Sequence, residues 1–154
     1  MKRLWLLVAL GLALAAVPQA GTAVRTSDPQ LRAAIALVKR KGYTPDLKGW
    51  SRGATLNVLI GTFTRSADGY NKRAFFFVKH RGYIGTDTRD PSLSMFLVWG
   101  DDTTSAIMYI LYRRNDPNCC PTGGGKIVRY RWTGSRLRPL DRIPTANANA
   151  PLHR

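Results

Sequence analysis

The stretch KRAFFFVKHRGYIGT, Lys72 to Thr86, decides the fold. Within Lys72–His80, Phe75 and Phe77 face opposite to Ala74, Phe76 and Val78, a period of two that marks a strand. The Arg81-Gly82 pair has the length of a two-residue hairpin, which would pair Phe75–His80 with Tyr83–Thr86. An antiparallel pair therefore stands at the centre of the chain. Upstream, Leu56, Val58 and Ile60 alternate with Thr55, Asn57 and Leu59, and a turn is expected around Asp68-Gly69. Downstream, Leu93–Trp99 and Ser105–Arg113 are strands joined through Gly100-Asp101-Asp102, and Lys126–Trp132 and Arg136–Leu140 are joined through Thr133-Gly134-Ser135. Short links between successive strands favour antiparallel neighbours.

At the N-terminal end the period is helical. Ser27 or Asp28 caps a helix over 29–41, with Pro29 at its first position. Leu31, Ala34, Ile35 and Val38 make one apolar stripe, Lys39, Arg40 and Lys41 suit the carbonyl end, and Gly42 closes it. Residues 43–53, with Pro45, Gly49 and Gly53, read as a loop. The expected fold is α+β: one N-terminal helix packed on one face of a curled antiparallel sheet of six or seven short strands. The domain spans 24–145, and the polar tail 146–154 is expected to be frayed.

Residues 1–23 read as a secretory signal peptide. Lys2 and Arg3 precede an apolar run from Leu4 to Ala16, then Pro18 and a small-x-small end at Gly21-Thr22-Ala23, with Ala20 a second-choice end. The run is shorter than the roughly 20 residues of a membrane span. No cysteine lies near the cleavage site, so lipid attachment there is not expected. An exported protein, periplasmic or extracellular, is the expectation.

The 154 residues carry 24 Lys+Arg against 9 acids, all Asp, a net charge of +15 that becomes +13 without Lys2 and Arg3. A 44% hydrophobic content excludes a disordered chain, and the length leaves no room for a Rossmann or barrel core behind a leader. A field of one sign attracts polyanions, and anionic lipid, cell-wall polymer and nucleic acid are the candidate partners. Such a charge also serves solubility alone.

The strand Lys126–Trp132 carries the clearest surface signal. Val128, Tyr130 and Trp132 share one face and join the core, while Ile127, Arg129 and Arg131 share the other. That places two guanidiniums about 7 Å apart by strand geometry. Arg113 and Arg114 end another strand beside Tyr112. Arg113, Arg114, Arg129 and Arg131 are the polyanion-binding candidates; the alternative is a solvated face whose arginine stems cover apolar surface.

The remaining motifs are weaker. Cys119 and Cys120 are adjacent and serve as a vicinal disulfide, as thiols or as a bridge between chains. A Cys–His dyad would need His80, since His153 lies in the tail. Thr122-Gly123-Gly124-Gly125-Lys126 fails phosphate-loop spacing and is expected to be a flexible connection. Asp87 and Asp90 flank Arg89, and Asp101 adjoins Asp102; both pairs sit beside turn residues, where Asp accepts local backbone bonds. Nothing in the sequence calls for a metal or cofactor, and no small-molecule substrate is evident.

The segment Cys119-Cys120-Pro121-Thr122-Gly123-Gly124 leads into Val128-Arg129-Tyr130-Arg131-Trp132, then Gly134, Pro139-Leu140-Asp141 and Ile143-Pro144. With Gly82-Tyr83-Ile84-Gly85-Thr86 and Thr103 to Arg113 upstream, this resembles the bacterial LppP/LprE-type lipoprotein family over roughly residues 75–144. The resemblance implies export and a small β-rich domain, and brings no catalytic residue with it. The expected function is a secreted cell-envelope binding or structural domain, non-enzymatic, with affinity for anionic surfaces. The alternatives are a small extracytoplasmic enzyme using a cysteine or an Asp pair, and an extracellular nucleic-acid binder.

Overall fold

The computed structural model describes residues 27–51, 53–66 and 69–154; the expected leader at 1–23 and Asp68 of the expected turn lie outside the described residues. Helix α1, Pro29–Arg40, starts where the sequence places it. One oxygen of Asp28 accepts from the N–H groups of Gln30 and Leu31 at 2.9 and 3.2 Å, so two otherwise orphaned donors are satisfied. Its other oxygen accepts from Trp50 Nε1 at 2.9 Å, which ties the cap to the body of the protein. Gly42 takes the left-handed turn at φ 85°.

The segment expected as a loop holds a strand, β1, Tyr43–Asp46, and a single 3-10 turn, Leu47–Gly49. β1 lies at a sheet edge, where Pro45 lacks no ladder donor that matters, and Tyr43 is buried. It pairs with β2, Leu56–Phe63, which pairs with β3, Lys72–Val78, which pairs with β4, Gly82–Thr86. The β3–β4 hairpin is longer than expected. Val78 pairs with Gly82, so Lys79, His80 and Arg81 form the connection, and His80 turns left-handed at φ 64°. A bulge between Phe76 and Phe77 absorbs the change of register.

The single curled sheet is corrected to three sheets. The second has the order β5-β6-β8-β9, built from Met95–Gly100, Thr104–Ile110, Gly125–Trp132 and Leu137–Pro139. The third is a small pair, β7 at Tyr112–Arg113 with β10 at Leu152–His153. The cause is visible in β3, whose two faces are both apolar. Phe75 and Phe77 pack with Leu31, Ala34, Val38 and Leu59 under the helix. Ala74, Phe76 and Val78 face the other way, toward Met95, Ile107, Tyr109, Val128 and Tyr130 of the second sheet. A one-sided sheet would leave one of these sets in water, so the chain supplies a second sheet. The result is three layers: helix, first sheet, second sheet. Among the described residues none forms a fourth layer over the outward face of the second sheet, where Phe96, Trp99 and Ile127 are exposed.

The expectation of a frayed tail does not describe the C-terminal end. Leu152 and His153 pair with β7, and the His153 ring stacks on Tyr112 with centroids 5.9 Å apart. Arg154 is buried, donating from its guanidinium to the carbonyls of Asp90, Pro91 and Pro144 and to Ser92 Oγ. A polar tail docks here because its donors find backbone carbonyls that are free to accept, which residue composition does not register. The glycine run is likewise anchored: Gly123 N–H donates to the Leu111 carbonyl at 3.0 Å and Leu111 N–H to that of Gly124 at 2.9 Å. A Cβ on Gly123 would sit 2.5 Å from the Leu111 oxygen, so glycine there is a packing requirement.

Candidate surface-binding site

The pleat of the second sheet sorts its residues cleanly. Along β8, Val128, Tyr130 and Trp132 are buried while Ile127, Arg129 and Arg131 are exposed. Register then builds the outer face in rows. Phe96, Met108 and Ile127 lie opposite one another across three strands. Trp99, Ala106 and Arg129 make the next row, which Leu140 extends by donating its N–H to the Arg129 carbonyl. Thr104, Arg131 and Arg138 make the third.

Arg129 and Arg131 therefore share a face, but their electrostatics differ. Arg129 meets Asp141 in a two-pronged ion pair, Nε to Oδ2 and Nη2 to Oδ1, each at 2.9 Å. The Arg129 guanidinium holds the Asp141 carboxyl well below the usual carboxylate range, so the pair stays charged and locally neutral. Arg131 has no ion-pair or hydrogen-bond partner among the described residues, and its cross-strand neighbour is another arginine, Arg138. Like charges directly opposite repel. Asp101, at the same end of the sheet, accepts from the N–H groups of Thr103 and Thr104, and Asp102 from that of Thr55. The cationic spot is thus Arg131 with Arg138, a residue that sequence reading passed over. The signal was present: a tight turn after Trp132 brings Arg138 back opposite Arg131.

Arg113 and Arg114 are not part of this face. They lie on β7 and just after it, past Ile110, whereas Arg131 sits opposite Thr104 at the other end of β6. Arg114 donates through Nε and Nη2 to the Asn149 carbonyl, and Arg113 N–H is held by Asp116 Oδ2. Cys119 and Cys120, in the exposed loop that follows, are joined by a disulfide. His80 lies in the β3–β4 turn, so a thiol–His80 pairing has no thiol to use.

Asp87 is more than a turn residue. Its Oδ1 accepts from Ala74 N–H at 3.1 Å and its Oδ2 from Tyr109 OH at 2.8 Å, and the Tyr109 and Tyr130 hydroxyls lie 2.6 Å apart. Burial pushes the Asp87 carboxyl up, and burial with the neighbouring carboxylate raises both tyrosines. Asp87 and Tyr130 also line an open cleft of about 540 Å³ beside Arg81 and Arg136. The carboxylate oxygens are both engaged by internal donors, so the chain of hydroxyls locks the two sheets together across their core.

The described residues form a helix-backed pair of large sheets, and the outer face of the second combines exposed apolar side chains with arginines, Arg131 and Arg138, that have no ion pair among those residues. Residues 48–135 match the family model for the LppP/LprE lipoproteins. The chain belongs to the LppP/LprE lipoprotein family, which makes it an exported, envelope-associated protein. No curated protein and no solved structure matches it. Among the described residues no helix is long and apolar enough to cross a membrane.

Proposed function

We propose that the protein is a non-enzymatic binding module of the cell envelope that contacts anionic surfaces through the outer face of its second sheet. The observation that carries this reading is the Arg131–Arg138 pair. Two arginines paired directly across neighbouring strands, with no ion pair to either among the described residues, repel one another, and an anion bound by both relieves that repulsion. Arg129 contributes its stem and a neutral ion pair to the same face.

Retention on immobilised heparin, followed against salt, tests the reading. Each phosphate- or sulfate-type contact adds about 0.7–0.9 to the slope of log K against log salt. Replacing Arg131 and Arg138 together with serine is expected to reduce that slope by about 1.4–1.8. The same exchange at Arg113 and Arg114 is expected to leave it nearly unchanged. Equal losses from the two double variants would show that only net charge matters and would remove the site.

A further inference from the structure

We infer that the anionic surface this face meets is a lipid bilayer. Phe96, Trp99 and Ile127 enter the headgroup layer, and Arg131 and Arg138 pair with lipid phosphates. This rests on the anionic-surface reading above and names its partner.

The outer face is not merely basic. Phe96 is 48% exposed, Trp99 43%, Ile127 41% and Leu140 41%, and Val98, at the β5 bulge beside them, is 43% exposed. Two further large hydrophobic residues are exposed among the described residues, Leu47 at 38% and Leu152 at 45%. Isolated exposed side chains need no explanation, but a cluster on one flat face does. A hydrated polymer, whether nucleic acid or wall polysaccharide, satisfies the arginines and gives Ile127 and Leu140 nothing to bury against. Base stacking would use the aromatic rings alone, and Phe96 sits in the row farthest from the unpaired guanidiniums.

A bilayer interface accommodates both chemistries at different depths. From Ile127 to Arg131 is four residues along β8, about 13 Å at strand rise. If the sheet dips at its Phe96–Ile127 end, the apolar row enters the boundary of headgroups and acyl chains, about 5–10 Å deep. The Arg131–Arg138 row then rests at phosphate level. Trp99 lies in the row between, where an indole prefers the headgroup region. The Arg129–Asp141 pair in that row is neutral, so it does not oppose the approach of a negative surface.

The test uses residues 24–154, which leaves out the expected leader at 1–23. Phosphatidylglycerol vesicles containing lipids brominated near the headgroup are expected to bind it and to quench a fraction of its tryptophan fluorescence. Trp99→Phe should abolish that fraction, because Trp50 and Trp132 are packed away from this face. Phe96→Ser with Ile127→Ser is expected to weaken vesicle partitioning at least about tenfold while leaving heparin retention unchanged. Both side chains are exposed, and an unaltered melting curve checks that the variant folds. Arg131→Ser with Arg138→Ser should weaken vesicles and heparin alike. Heparin retention without vesicle binding, or partitioning indifferent to Phe96 and Ile127, overturns the bilayer inference and leaves the polyanion reading standing. Loss of neither activity in the arginine variant overturns both.

Discussion

Phe76→Ala is expected to destabilise the protein by about 3–5 kcal/mol, while Phe96→Ala changes stability by less than about 0.5 kcal/mol. The two residues are the same chemical group on two strands, and the layering alone separates them. Phe76 is fully buried between the sheets, its ring 5.0 Å from that of Tyr130. Truncation there loses the transfer free energy of the ring and leaves a cavity that two hydrogen-bonded sheets cannot close. Phe96 is on the uncovered face and is 48% exposed. Urea denaturation measures both: the midpoint falls for Phe76→Ala and stays put for Phe96→Ala. Comparable losses at the two positions would mean that something covers the outer face, and the account of a bare sheet would fail.

Asp87→Ala is the second large effect, a loss of about 2–4 kcal/mol. The variant strands the Tyr109 hydroxyl and the Ala74 N–H, which both donate to this carboxylate. Asp87→Asn is expected to retain most of the stability, because an amide can accept from Ala74 N–H and donate to the Tyr109 oxygen. The pH dependence distinguishes the roles. Burial raises the Asp87 carboxyl in the folded state, so the folded protein holds that proton more tightly than the unfolded chain does. The Asp87 contribution to stability is therefore greatest at low pH and declines as pH rises from the ordinary carboxylate value through the raised folded one. Subtracting the pH profile of Asp87→Asn from that of the native protein isolates this decline. A difference that grows with pH instead would mean that the carboxylate is stabilised by charge, not burdened by burial. The Asp141 contribution runs the opposite way: its lowered value favours the folded state above the ordinary carboxylate value and is lost in acid.

Local order was legible in the residues wherever one short segment controls the outcome. Asp28-Pro29 with the stripe at Leu31, Ala34 and Val38 and the stop at Gly42 defines the helix. The alternation in KIVRYRW assigns each side chain of β8 to its face. What escaped depends on how segments meet. Three consecutive phenylalanines, Phe75 to Phe77, are too many for a strand with one wet face, and they mark a sheet covered on both sides. That signal was in the sequence, but it says nothing about whether the second cover is a helix or another sheet. Asp87 looked like any aspartate near a turn, because the tyrosine that makes it internal lies 22 residues later. The arginine pairing was likewise hidden: Arg129 is neutralised by Asp141, twelve residues on, and only the β8–β9 register reveals Arg138 as the partner of Arg131. Arg113 and Arg114 shared a composition with that face and not a location.

The central claim is that the uncovered face of the second sheet is the contact surface. NMR shift mapping during titration with a sulfated oligosaccharide tests it most directly. The account predicts shifts confined to the outer rows, at Trp99, Thr104, Arg129, Arg131, Arg138 and their strand neighbours, with the Trp99 indole N–H moving and those of Trp50 and Trp132 still. Shifts concentrated on α1 or at Arg113 and Arg114, or spread evenly over every basic residue, would contradict it.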